Sequence, residues 1–285
     1  MFDMRYHIAS LVAVFLALTV GIVLGTAIVN RGVLVKQQTA LVSGLRQEFA
    51  TLRDRNRVLQ DAVNDDEQFF ETALPILVDK RLAGKRVAVV ASDSQDTADL
   101  RQAVIALRQA GARVSIVTVL SPDLGTKNDS TAAKLQRVFL REKLSGEDLR
   151  RRLLSEIATQ IATSTEPAFI NQLTDIGVIK ATSIGALPAQ AVVFTAGSGE
   201  KEMISQVQVP LIEALKSTKA QLVGVEAGGI EESAMSTYRG AGAGTIDNID
   251  TPIGEVSLVF SLSGLPGHYG VKPTADALAP KLEAR

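Results

Sequence analysis

The sequence predicts an α/β protein in three parts: an N-terminal transmembrane helix, a coiled coil that continues it, and a Rossmann-like open, mostly parallel α/β sandwich. Three observations carry this. Residues 8–29 hold no charge, a hydrophobic seam at heptad spacing follows, and from Val87 onward β-branched runs alternate with stretches of helical period. These signals divide the chain into an anchor over 1–30, a stalk over 31–74, an α/β domain over 75–272 with a helical excursion at 130–177, and a flexible tail over 273–285.

At about 1.5 Å of rise per residue, the uncharged run from Ile8 to Val29 crosses a bilayer core of about 30 Å. Ala9, Ala13, Ala17, Gly21 and Gly25 recur at every fourth position, so they stack along one side. Lipid leaves little hydrophobic drive between helices, which makes close backbone approach at small residues a main source of association. The ridge is read as a dimerisation face. A cleaved secretory signal is the other reading, with Gly25-Thr26-Ala27 as its cleavage site. The apolar run exceeds an h-region of about 7–15 residues, and Arg5, partly offset by Asp3, makes a poor basic n-region. An uncleaved anchor is favoured. Arg5 on one side stands against Arg31 and Lys36 on the other, so charge does not set the orientation.

Leu41, Leu45, Phe49, Leu52, Asn56, Leu59 and Val63 then follow at spacings of four, four, three, four, three and four. From Phe49 this is an a/d seam, with Asn56 at an a position, where a buried amide favours a dimer in fixed register. Charged residues between these positions suit a wetted outer surface. A helix packed on its own domain would show the same pattern. The ridge upstream asks for the same parallel pairing, which favours an intermolecular coil. Neither Gly nor Pro interrupts Leu45–Leu74, and Pro75 is the expected stop.

Val87-Ala-Val-Val-Ala91 reads as a buried strand, Leu100 to Ala110 as a helix stopped by Gly111, and Arg113–Val119 as a second strand. Strand, helix, glycine and strand in this order make a βαβ unit. Leu149, Leu153, Ile157 and Ile161 share one face of a helix in the excursion, which breaks at Ser145-Gly146 and near Pro167. Further strands are expected at Ala191–Thr195, Leu222–Val225 and, last, Val256–Phe260, with helices at 200–216 and 231–238.

The net charge is −1 and no basic stripe stands out beyond Arg150-Arg151-Arg152, which argues against nucleic acid as a partner. There is no cysteine, hence no disulfide, thiolate metal site or thiol catalysis. The loop Ser92–Asp96 has no glycine, and neither G-x-x-x-x-G-K-[ST] nor G-x-S-x-G occurs. The expectation is a protein that is not an enzyme and carries no cofactor. Candidate binding positions are Gly197-Ser198-Gly199, where backbone N–H groups after a strand could hold an anion, and the carboxylates Asp247 and Asp250. The bland alternatives are a capping turn and an Asx-type turn closed by Pro252. His268 with Tyr269, in Gly264-Leu-Pro-Gly-His-Tyr-Gly270, is the one loop candidate for a metal ligand.

As a set, Arg5-Tyr-His-Ile-Ala-Ser-Leu-Val-Ala-Val-Phe-Leu-Ala-Leu18 with Gly21 and Gly25, the seam, Gly84-Lys-Arg-Val-Ala-Val-Val90, Asn248-Ile-Asp-Thr-Pro-Ile-Gly254 and Gly267-His-Tyr-Gly270 resemble the MctB family. The resemblance runs over nearly the whole chain. It implies copper transport and copper homeostasis, with copper as the one possible ligand, in a single-pass protein of the cell membrane whose bulk is extracytoplasmic. Mycobacterial members are described as outer-membrane channels. Corynebacterial members are tied to cell division and the cell envelope. The alternative it leaves open is a homodimeric envelope scaffold that presents its α/β domain to a protein partner.

Overall fold

The computed structural model describes residues 4–93, 97–139, 144 and 146–281. Asp3, the loop residues Ser94, Gln95 and Asp96, the expected break at Ser145 and the last four residues of the tail lie outside these. Packing divides the chain into two units, one ending at Asp66 and the other beginning at Glu67.

The first unit is helical. Helix α1 spans Met4–Val78, and its side chains over 4–28 and 36–66 are exposed. Its apolar stretch Met4–Ile28 has a mean hydropathy of 2.6 and is the one helix among the described residues long and apolar enough to cross a membrane. The hydroxyls within it are satisfied locally: Thr19 Oγ1 donates to Phe15 O at 2.7 Å and Thr26 Oγ1 to Ile22 O at 3.0 Å. Pro75 does not end the helix, as the sequence had suggested, but lies inside it. Leu74 and Val78, either side of the proline, are buried with Leu82, Val87 and Leu107, and this anchorage holds the last turn where the proline removes a donor.

The second unit is mixed α/β. Strand β1 (Arg86–Ser92), helix α2 (Thr97–Gln109) and strand β2 (Arg113–Val119) form the expected parallel βαβ unit. Gly111 takes φ +86 at the stop of α2. Helices α3 (Asp129–Val138), α4 (Gly146–Thr163) and α5 (Ala168–Ile176) make the excursion. Strands β3 (Ile179–Thr182) and β4 (Ala191–Thr195) follow. Helix α6 (Lys201–Met203) passes through a π-helical turn at Ile204–Gln208 into α7 (Val209–Leu215). Pro210 has no N–H to give there, and Arg150 Nη1 supplies a donor to the Gln206 carbonyl at 3.0 Å. The chain closes with β5 (Gln221–Val225), α8 (Met235–Gly240), β6 (Gly244–Ile246), α9 (Pro252–Leu262) and β7 (His268–Tyr269).

The seven strands stand in the order β3-β2-β1-β4-β5-β6-β7, all parallel except that β3 runs against β2. Alternate residues serve opposite faces, as a period of two requires. Ala88, Val90, Val192 and Phe194 face a core built with α4, α5, α7 and α8, whereas Val87, Val89, Ala191 and Val193 face the end of α1, α2 and α9. Both faces are covered, which is why the central strands read as unbroken apolar runs.

Other expectations differ from the structure. Val256–Phe260 is not the last strand but the middle of α9. Thr251 Oγ1 accepts Gly254 N at 3.2 Å, Pro252 takes the first helical position, and Gly254–Leu262 are all buried, so the helix shows no polar face and its period is hidden. The short helix begins at Met235 and not near Glu231 because Ser233 Oγ and Ala234 N are drawn to the Glu226 carboxylate. The glycine-rich Gly240–Gly244 runs into β6, beside the edge strand β7. Within the segment read as a flexible tail, Asp276 N donates to His268 O at 2.8 Å and Arg239 Nη1 to Thr274 O at 2.8 Å.

Candidate functional site

Strand β1 sits between β2 and β4, so the chain's winding reverses there and the carboxyl ends of β1 and β4 border the crevice in which open α/β sheets take ligands. Gly197-Ser198-Gly199 leaves β4 at this point. Gly197 is buried, Ser198 and Gly199 are exposed, and Gly199 has φ +76. The anion beside them is internal: the buried Glu200 carboxylate accepts Gly197 N–H at 2.8 Å and the Ser92 hydroxyl. A polar relay leads from here into the core. Gln208 Nε2 donates to Thr195 O at 2.9 Å, and the wholly buried Tyr238 hydroxyl donates to Gln208 Oε1. Burial pushes the Tyr238 phenol well up, and the nearby Glu200 and Glu226 charges add to that.

A second polar group closes the β5, β6 and β7 end of the same edge. Glu226 follows β5 directly and its side chain is fully buried; Lys272 Nζ reaches it at 2.7 Å and also donates to Ile230 O at 2.7 Å. Asp247 follows β6, is buried, and accepts Val271 N at 2.7 Å and Lys272 N at 3.0 Å. Gly270 between them has φ +140, and a Cβ there would stand 2.0 Å from Asp247 Oδ1. Asp250 is exposed and accepts Gly228 N at 2.8 Å. The two aspartates read together from the sequence therefore hold different loops. Their donors are backbone N–H groups.

His268 and Tyr269 form β7. His268 Nδ1 lies 3.0 Å from Thr245 Oγ1, and its pKa is lowered by burial first and by Arg239 second, with Asp276 opposing. Tyr269 donates to Leu265 O at 3.0 Å, and burial with the Asp276 charge raises its pKa. Its ring borders a groove of ≈ 650 Å³ shared with Arg81, Phe260, Leu265 and Lys281. The Arg81 guanidinium sits 4.7 Å over the Phe260 ring. Glu200, Glu226 and Lys272 escape a reading of sequence spacing. The one local signal is a charge set immediately after the apolar strand Leu222–Val225.

The donor chemistry bears on copper, the cargo that the resemblance implies. Met203 and Met235 are buried in the core, and no group of three or more His, Cys, Asp or Glu stands ready to hold a metal among the described residues. His268 has one ring nitrogen turned to a hydroxyl. On α1, Met4 and His7 are exposed. The ridge Ala9, Ala13, Ala17, Gly21 and Gly25 and the seam Leu45, Phe49, Leu52, Asn56, Leu59 and Val63 are exposed at every position on the single chain. Added Cβ atoms at Gly21 and Gly25 would meet nothing within 4 Å.

Comparison with known proteins bears on the whole chain. Three curated relatives, each described as a copper transporter MctB, come from Mycobacterium bovis and from two strains of Mycobacterium tuberculosis; each is 24% identical over an alignment covering 95% of this chain and 96% of the relative. The model of the family described as "Copper transport outer membrane protein, MctB" matches residues 1–280, which take in the apolar helix, the seam and the α/β unit alike. The chain belongs to the MctB family.

Proposed function

We propose that this chain is a membrane-anchored protein of copper homeostasis that acts in copper export and is not an enzyme. The observation that carries the reading is the family match over residues 1–280, in which the curated relatives bear the name copper transporter. The span Met4–Ile28 supports anchoring in the membrane. One helix does not enclose a pore, and an open sheet with helices on both faces offers no lipid-facing barrel wall among the described residues, so the role is a part in copper handling without a channel of the chain's own. The strand order with its reversal beside β1 supports a Rossmann-like unit, and the family's description as an outer membrane protein supports placing that unit outside the cytoplasm. Deleting the gene is expected to raise cell copper and copper sensitivity, measured by elemental analysis and growth on graded copper. Unchanged copper in the deletion strain would sink this reading.

A second reading is an envelope or cell-division scaffold, and the exposed ridge and seam of α1 favour it. In it two chains pair in parallel, through the small-residue ridge in lipid and through a coiled coil beyond, and present the α/β unit to a protein partner. Because alanine at Gly21 or Gly25 meets nothing in the single chain while leucine adds bulk to the ridge, Gly21→Leu with Gly25→Leu is expected to weaken pairing without disturbing the fold. Crosslinking in membranes checks this, and an unchanged dimer yield would remove the ridge from the argument. Normal copper with a septation defect in the deletion strain would select the scaffold.

A further inference from the structure

We propose that Met4 and His7 form a copper(I)-binding pair at the head of the membrane span, an inference that rests on the copper reading above. Copper(I) is a soft ion that takes thioether and imidazole donors. The sequence holds four methionines, two histidines and no cysteine. Met203 and Met235 are enclosed in the core, Met1 lies outside the described residues, and His268 is half-buried against Thr245. Met4, 74% exposed, and His7 are the soft donors of the described chain that stand together in the open.

Their spacing of three within α1 makes them neighbours on one face, with Cβ atoms about 5–6 Å apart, within the combined reach of a thioether with three rotatable bonds and an imidazole. At about 3.6 residues per turn, this face points away from Ala9 and Ala13 and also from Arg5, so a bound cation meets neither the ridge nor the nearest positive charge. A single chain supplies both donors, and binding does not require pairing of chains. The site lies at the head of the apolar span Met4–Ile28, just before the uncharged run that begins at Ile8, at the level at which an ion would be handed to or taken from the membrane surface.

The test uses the full chain in nanodiscs, titrated anaerobically with copper(I) against a chromogenic chelator. One ion per chain is expected, with mixed sulfur and nitrogen scattering in X-ray absorption. Met4→Leu and His7→Ala are each expected to weaken binding by more than the roughly 10–100-fold that loss of an outer-shell partner costs, whereas His268→Ala leaves it unchanged. Equal binding by the Met4→Leu, His7→Ala double variant would overturn the inference. A cellular arm separates this failure from failure of the copper reading. If deletion raises cell copper and the double variant, present in the membrane at the parent's level, restores it fully, the pair is discarded and the copper reading stands. If deletion leaves cell copper unchanged, both fall.

Discussion

Lys272→Met is expected to destabilise the α/β unit by about 3–5 kcal/mol, because it leaves the Glu226 carboxylate buried without its cation. The Glu226 side chain is fully buried and that of Lys272 is 14% exposed, so solvent screens little of the pair. Two donors remain to the carboxylate after the change, Ser233 Oγ and Ala234 N at 2.8 Å, and they do not neutralise it. The ammonium also donates to Ile230 O and Ala227 O, so its removal takes a donor from two loop carbonyls, of which Ala227 O keeps the Ile230 N–H. For a unit of this size each kcal/mol moves the midpoint by about 2–4 °C, which sets a fall of roughly 6–20 °C. Tyrosine fluorescence during thermal unfolding of the detergent-solubilised chain measures it, since Tyr238 is enclosed in the core. Glu226→Gln added to Lys272→Met is expected to recover much of the loss, because charge and counter-charge are then both gone. An unshifted midpoint for the single variant would show that the ion pair does not hold this edge.

The second large effect is expected at Gly254, where the sign depends on one close approach. In an exposed helix interior, alanine in place of glycine stabilises by about 1 kcal/mol. Here an added Cβ would lie 1.9 Å from Asn248 O and 2.5 Å from its carbonyl carbon. Both atoms are backbone, and that carbonyl is itself held by Thr251 N at 3.0 Å and Thr251 Oγ1 at 2.8 Å. The turn cannot yield without unseating the N-cap of α9, and α9 fills one face of the core from Gly254 to Leu262. Gly254→Ala is therefore expected to cost about 3 kcal/mol or more, the upper range for overpacking, with loss of the cap added. The same melting measurement decides it. A variant as stable as the parent would mean that the Asn248–Gly254 turn is looser than its hydrogen bonds imply.

These two sites mark the border between what a reading of spacing can reach and what it cannot. The turn Asn248–Gly254 stands out in the sequence, with Asp250 inside it and Asp247 just before it, but the run after it reads there as a strand. A run such as Val256–Phe260 has no polar face whether it is a helix or a strand, because burial on all sides erases the period that would tell them apart. Strands β3, β6 and β7 were not visible for a different reason. They are two to four residues long, too short for a pattern, and exist through bonds to distant chain such as Asp247 N to Tyr269 O at 3.2 Å.

The apolar span, the small-residue and heptad spacings of α1 and the four central strands β1, β2, β4 and β5 were determined by the sequence alone, because each signal lies within one segment: an apolar length, a helical spacing, or a short β-branched run bounded by turn residues. The partners of the buried charges were decided only by the tertiary structure. Glu226 meets a lysine 46 residues away, and Glu200 meets Ser92 across two strand ends. Such pairs leave no local trace, since a buried carboxylate is tolerated through donors that the fold, and not the neighbouring residues, brings to it.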